Sequence, residues 1–134
     1  MRLPDKERLM RGRAAVICCP DPGCKKCVSA CAFSAIRIGE DGLPYSEAAR
    51  CVGCGGCAAI CPRAAVFLIK ARAGGEYEFT VPFEGELPEI DDRPELELPG
   101  GAALPGARVV QVIPKRPNSA NALVRAAAAM PLSL

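Results

Sequence analysis

Eight of the nine cysteines in this chain fall into two blocks of closely related spacing, and thiols at that density are metal ligands before they are anything else. The second block reads Cys51-x2-Cys54-x2-Cys57-x3-Cys61-Pro62 and the first reads Cys19-x4-Cys24-x2-Cys27-x3-Cys31. Three cysteines in one tight loop, followed by a fourth beyond a three-residue gap, is the spacing that wraps a cubane iron–sulfur cluster. Two such runs predict two 4Fe-4S clusters and a path for single electrons.

The spacing has a mechanical reason. A cubane offers four iron atoms at tetrahedral corners, and each takes one thiolate. A C-x2-C-x2-C loop reaches three corners only if its backbone turns tightly with amides facing inward, where they donate hydrogen bonds to cluster sulfurs and help set the potential. Gly53, Gly55 and Gly56 suit that turn, because glycine accepts positive φ and lets the backbone come close. The fourth cysteine of each run lies too far along to close the same cube and serves the other one. The expected ligand sets are therefore crossed: Cys19, Cys24, Cys27 and Cys61 for cluster I, and Cys51, Cys54, Cys57 and Cys31 for cluster II.

Other uses of these cysteines fit poorly. A structural zinc site wants paired C-x2-C knuckles, whereas each loop here carries three close cysteines. A disulfide framework needs an oxidising compartment, but residues 1–13 (MRLPDKERLMRGR) lack the apolar core of an export signal, and an odd count of nine leaves a thiol over. The chain has no histidine, which excludes Rieske-type ligation, a haem histidine and histidine acid–base catalysis. No nucleotide-binding glycine motif is present, so no catalytic residue is expected. No stretch is long and apolar enough to span a membrane.

The elements that position the ligands come from an internal repeat. Cys24, Cys27 and Cys31 map onto Cys54, Cys57 and Cys61 at an offset of thirty, and Ala35, Ile36 and Ile38 map onto Ala65, Val66 and Leu68. The first loop alone is two residues longer. The pattern predicts an α+β domain with a pseudo-two-fold repeat, each half reading strand, cluster loop, short helix, strand. Residues 14–18, 36–38 and 66–70 are the strand candidates, with a turn at 39–42.

Residues 14–72 resemble a bacterial-type two-cluster ferredoxin domain, most closely over CVGCGGCAAICP. The first run, CPDPGCKKCVSACAFSAI, departs from that pattern by four residues instead of two between its first ligands and by Ala32 where a proline is usual. If residues 16–19 are extended, Cys18 and Cys19 point to opposite sides and only one can ligate. Cys19 is favoured, since it precedes a proline and closes the shorter loop; Cys18 is then a small buried residue, with a ligand swap as the alternative.

Aromatic residues make up only 4% of the chain, so the first seventy residues bury little and the clusters are expected to stand in for a core. Charge is uneven. Residues 1–75 carry a formal +6, residues 76–98 a formal −8 and residues 99–134 a formal +4. Lys25, Lys26 and Arg63 stand beside the cluster loops, where they either favour the reduced cluster or are solvated surface charge. Nothing in this pattern suggests nucleic acid.

The expected organisation is a basic arm (1–13), the two-cluster domain (14–72), a hinge (73–75) and a β-rich docking tail (76–134), built as a small loop-rich β module or an extended tail. Tyr77–Phe83 alternates as a strand does, and residues 96–98 and 107–113 are further candidates. Residues 84–95 are acidic and proline-containing and expected to be exposed, and the acidic 76–98 stretch as a whole is either a contact or a solvated loop. Residues 120–130 suit either a helix capped by Asn118 or Ser119, or a strand through Ala122–Ala128.

The order of basic arm, two-cluster domain and a tail running YEFTVPFEGELPE then ARVVQVIPKR resembles the small iron–sulfur subunits of flavin-dependent amine and amino-acid dehydrogenase complexes, of the sarcosine oxidase, proline dehydrogenase and hydroxyproline dehydrogenase type. That resemblance implies a flavin-containing dehydrogenase or oxidase partner in a hetero-oligomer, with this chain passing electrons on singly. The alternative is a free soluble ferredoxin serving several partners; a third is a protein whose clusters only hold the fold or sense oxidation. A cytoplasmic location is expected from the thiolate-rich sites and the charged start of the chain.

Overall fold

Residue alternation along two short strands decides which side of the protein carries the cysteines. In the computed structural model, which describes residues 3–19, 21, 24 and 26–131, the chain runs α1 (Lys6–Arg11), β1 (Ala14–Ile17), α2 (Lys26–Ala30), β2 (Ile36–Ile38), β3 (Pro44–Ser46), α3 (Gly56–Ile60), β4 (Val66–Ala71), β5 (Tyr77–Phe83), β6 (Leu96–Glu97), β7 (Ala103–Leu104), β8 (Arg108–Ile113) and β9 (Ala122–Ala128). The fold is mixed α and β. A five-stranded sheet has the order β1-β4-β5-β9-β8, with every neighbouring pair antiparallel. Two small hairpins, β2–β3 and β6–β7, stand apart from it.

Since side chains on a strand alternate between faces, Ala15, Ile17, Val66 and Leu68 point to the face that holds the buried cysteines. Their neighbours Ala14, Val16, Phe67 and Ile69 point to the far face. There Phe67 and Phe79 meet at a ring separation of 6.4 Å, and Leu9 of α1 with Leu96, Leu98 and Leu104 of the β6–β7 hairpin close the layer. Clusters were expected to stand in for a core, but the structure places only one of two cores around cysteines. The other is an ordinary hydrophobic layer, and most of its cover comes from residues 77–128.

The tail thus belongs to the main sheet. Tyr77–Phe83 is β5, paired with β4 through Leu68↔Thr80 and Ile69↔Phe79. Residues 73–75 form a tight hairpin turn between β4 and β5, closed by Arg72 N–H donating to the Glu76 carbonyl at 2.9 Å. Between helix and strand for residues 120–130, the strand wins: Ala122–Ala128 is β9, held on both sides by β5 and β8. Two neighbours hydrogen-bond its backbone, and this outweighs the helix propensity of its alanines. The acidic stretch is largely exposed yet tied to edge strand β8, through Asp91 N–H to Val109 O and Val109 N–H to Asp92 O, each 2.9 Å. A bulge between Val109 and Gln111 and the following Pro114 blunt that edge.

The basic arm folds as well. Asp5 caps α1 by accepting from Arg8 N at 2.8 Å, and Arg8 and Leu9 are buried beneath it. No helix among the described residues is long and apolar enough to cross a membrane.

Candidate metal centre

Two short helices, α2 and α3, pack together over the near face and bring the cysteines into two groups. Cys27 on α2 has Cys61, Cys19 and Cys24 as the thiols whose charge it feels. Cys57 on α3 has Cys51 and Cys54, and more weakly Cys27. Cys31, just past α2, lines the same apolar cavity as Cys51, Cys54 and Cys57, over Ala15 and Leu68. Each helix therefore directs its own cysteine to one group and the cysteine after its end to the other. Among the described residues no His, Cys, Asp or Glu cluster closes tightly enough to hold a single ion. The first loop is described only at Cys19, Asp21 and Cys24, so its longer shape falls outside the described residues.

Local backbone geometry aims amides at sulfur. Ser34 and Ala64, thirty residues apart, both take positive φ, 53° and 50°. That left-handed step turns the next amide back on the preceding cysteine: Ala35 N–H donates to Cys31 Sγ at 3.4 Å and Ala65 N–H to Cys61 Sγ at 3.5 Å. Ala15 N–H donates to Cys51 Sγ at 3.4 Å. Gly53 and Gly55 take φ of 74° and 85°, while Gly56 begins α3. Ser46, on the wall of the cavity that Cys31, Cys51, Cys54 and Cys57 share, has a buried Oγ with no hydrogen-bond partner among the described residues. An orphaned hydroxyl and inward N–H groups are the donor set that cluster sulfides and thiolates accept from, so the residues fit the group.

Burial pushes the Cys57 thiol up to about 12, with the neighbouring Cys51 and Cys54 charges adding to it; burial and Cys61 likewise raise Cys27. Without iron these thiols stay protonated at neutral pH, and loading has to expel their protons. For Cys57 that cost persists until pH approaches about 12. Iron loading of the cluster-free chain should therefore strengthen steadily as pH rises from ~7 to ~9. Absorbance of the cluster during anaerobic reconstitution checks this, and loading indifferent to pH would contradict it.

Cys18 and Cys19 part as extended neighbours do. Cys19 is buried with the other cysteines on the near face, whereas Cys18 packs on the far-face core, where a Cβ on Gly100 would lie 3.6 Å from its sulfur. Burial raises the Cys18 thiol. Cys18→Ala should leave iron content unchanged, read by metal analysis against Cys19→Ala, which should lose one cluster.

Three positioning residues carried no signal in the sequence. Asn121 Nδ2 donates to Ala58 O at 2.9 Å and Cys61 O at 2.7 Å, and the amides of Ala120 and Asn121 donate to Ala59 O. These satisfy the open carbonyls at the end of α3 and hold Cys61 from sixty residues away in sequence. Asn121→Ala should cost about 1–3 kcal/mol in a denaturant melt and speed iron loss to a chelator. Arg8 reaches the Cys51 carbonyl from α1, and Ser46 lies beside the same ligands. Only the chain's long-range packing places them there. On the other group, Arg63 beside Cys61 pairs with Asp21 of the first loop at 2.7 Å.

Residues 18–65 match the family described as 4Fe-4S dicluster domain. Among curated proteins, the chain is similar to a subunit of the Na(+)-translocating ferredoxin:NAD(+) oxidoreductase complex of Acetobacterium woodii, 44% identical over 43 residues, which is 32% of this chain and 13% of that protein. It is also similar to a subunit of the ion-translocating oxidoreductase complex of Methanosarcina acetivorans, 46% identical over 46 residues, 34% of this chain and 17% of that protein. The chain thus spans less than a fifth of the length of these relatives. No solved structure matches the chain significantly. Cysteine spacing, inward amides and the family match agree: this chain carries a two-cluster ferredoxin-like iron–sulfur domain, an electron-transfer domain with two 4Fe-4S clusters.

Proposed function

We propose that the protein is the electron-transfer subunit of a larger oxidoreductase complex, passing single electrons through its two clusters from a flavin-containing dehydrogenase or oxidase subunit to an acceptor. The observation that carries this reading is the pair of four-cysteine groups side by side on one sheet face, each closed by a cysteine from beyond the other's helix. Ligands follow that grouping: Cys19, Cys24, Cys27 and Cys61 for cluster I, and Cys51, Cys54, Cys57 and Cys31 for cluster II. A flavin releases electrons in pairs, and two one-electron centres in series divide them. The chain supplies binding, orientation and electrostatics, and no group that touches substrate.

Two further observations support a bound role. Both relatives are named as subunits of oxidoreductase complexes. The exposed Cys54 stands beside Phe33 and Val52, which are 52% and 54% exposed and line the same cavity. Apolar side chains at the mouth of a redox centre are what a partner surface covers. The flavin partner itself rests on the likeness of the arm and tail to small dehydrogenase subunits.

Anaerobic purification from the native host followed by native mass spectrometry tests the proposal. Eight iron and eight sulfide in an assembly that includes a flavin-binding chain is the expected result. The same clusters on an isolated 14.0 kDa chain would overturn the subunit role and favour a free carrier.

A further inference from the structure

We propose that Arg8 and Ser46 raise the potential of the cluster held by Cys31, Cys51, Cys54 and Cys57 above that of its neighbour, so that a lone electron in the relay rests there. The inference builds on the two-cluster relay proposed above.

Arg8 is only 9% exposed. Its guanidinium donates from all three nitrogens to main-chain carbonyls: Nε to Ala48 O at 2.8 Å, Nη1 to Gly12 O at 3.0 Å, and Nη2 to Arg13 O at 2.9 Å and to Cys51 O. Those bonds satisfy four of its five N–H groups and leave its charge uncancelled. Among the described residues no carboxylate forms an ion pair with it. Asp5 is spent on the Arg8 amide, and Glu47 on Arg37 and Arg50. A buried charge without a counter-charge is costly, and one here is hydrogen-bonded to a ligand residue of an anionic centre.

A cube with four thiolates carries a charge of about −2 when oxidised, and reduction adds one more negative charge. A fixed cation close by favours the more negative state, and low-dielectric surroundings enlarge the effect. Ser46 adds to it. Among the described residues its buried hydroxyl has no hydrogen-bond partner, and Ser46 lines the cavity that Cys31, Cys51, Cys54 and Cys57 share. A hydroxyl that donates to a cluster sulfur donates more strongly as that sulfur gains charge. The other group has no matching device among the described residues: Arg63 beside Cys61 is 53% exposed and already paired with Asp21, so solvent and the carboxylate cancel most of its field.

The test is a potentiometric titration followed by EPR on wild type, Arg8→Met and Ser46→Ala, each purified anaerobically with its iron counted. Wild type should show two couples and eight irons. Arg8→Met should shift the oxidised-to-reduced ratio of the upper couple at least tenfold toward oxidised, about 59 mV for one electron, with the lower couple unmoved. Ser46→Ala should move the same couple about threefold, roughly half that voltage, and Arg8→Lys should restore most of the Arg8→Met loss. Ser46→Ala removes one oxygen that bonds nothing among the described residues, so it decides the matter if Arg8→Met fails to keep its clusters. An unmoved upper couple in Ser46→Ala, or equal movement of both couples in Arg8→Met, overturns the inference. A wild-type count of four irons would instead sink the two-cluster relay.

Discussion

A Cys24→Ala, Cys61→Ala double variant should keep one intact cubane, and a Cys54→Ala, Cys61→Ala double variant should keep none. Each loss follows from the grouping of thiols around Cys27 and Cys57. If Cys61 shares a cube with Cys24, both substitutions of the first pair strike the same cluster, and the cube on Cys31, Cys51, Cys54 and Cys57 is untouched. The second pair strikes one ligand of each. An uncrossed arrangement reverses the two results, because Cys61 would then share its cube with Cys54. Iron content and the EPR signal of the reduced protein read the outcome directly. The same logic predicts that Cys31→Ala, Cys54→Ala keeps one cube.

Gly53→Ala should destabilise the folded protein by about 2–5 kcal/mol, the sum of a left-handed backbone penalty and an overpacked contact, and should prevent the second loop from holding its cluster. Gly53 has φ of 74°, and a Cβ there would lie 2.4 Å from Arg13 O and 2.6 Å from Arg13 Cβ. Neither neighbour can give way cheaply. Arg13 O accepts from Arg8 at 2.9 Å, and the Arg13 side chain is paired with the buried Glu78 at 2.7 Å. Gly56→Ala is the control: among the described residues its Cβ would meet Cys54 Sγ within 4 Å, at 3.9 Å, and alanine suits a helix better than glycine. Thermal melts with iron counts check the pair. Equal tolerance at both positions would show that the loop does not lie against the α1–β1 turn.

Glycine spacing around Cys51, Cys54 and Cys57 was legible because a tight loop is a local object, and the residues that shape it are its own. Strands β1, β2, β4, β5 and β8 were legible for a related reason, since alternation and bounding prolines and glycines act within a few residues. Strand β3 was not, because Pro44–Ser46 is three residues long and exists by pairing with β2. The sequence marks residues 1–13 only as a basic arm, whereas Lys6–Arg11 form a helix. Leu9 and Arg8 have partners on β4, at Ala48 and at Cys51, all far along the chain, and burial of those two side chains cannot be seen in MRLPDKERL.

By itself the sequence determined the chemistry: thiolate number, spacing and type demand two cubane clusters, because loop length and coordination geometry are covalent constraints. Tertiary structure alone decided the rest. It made residues 77–128 part of the same sheet as the cluster strands. It also brought Asn121, Ser46 and Arg8 to the cysteine loops. Strand pairing and buried hydrogen bonds join residues whose separation along the chain carries no energy, so only the folded backbone shows which of them meet.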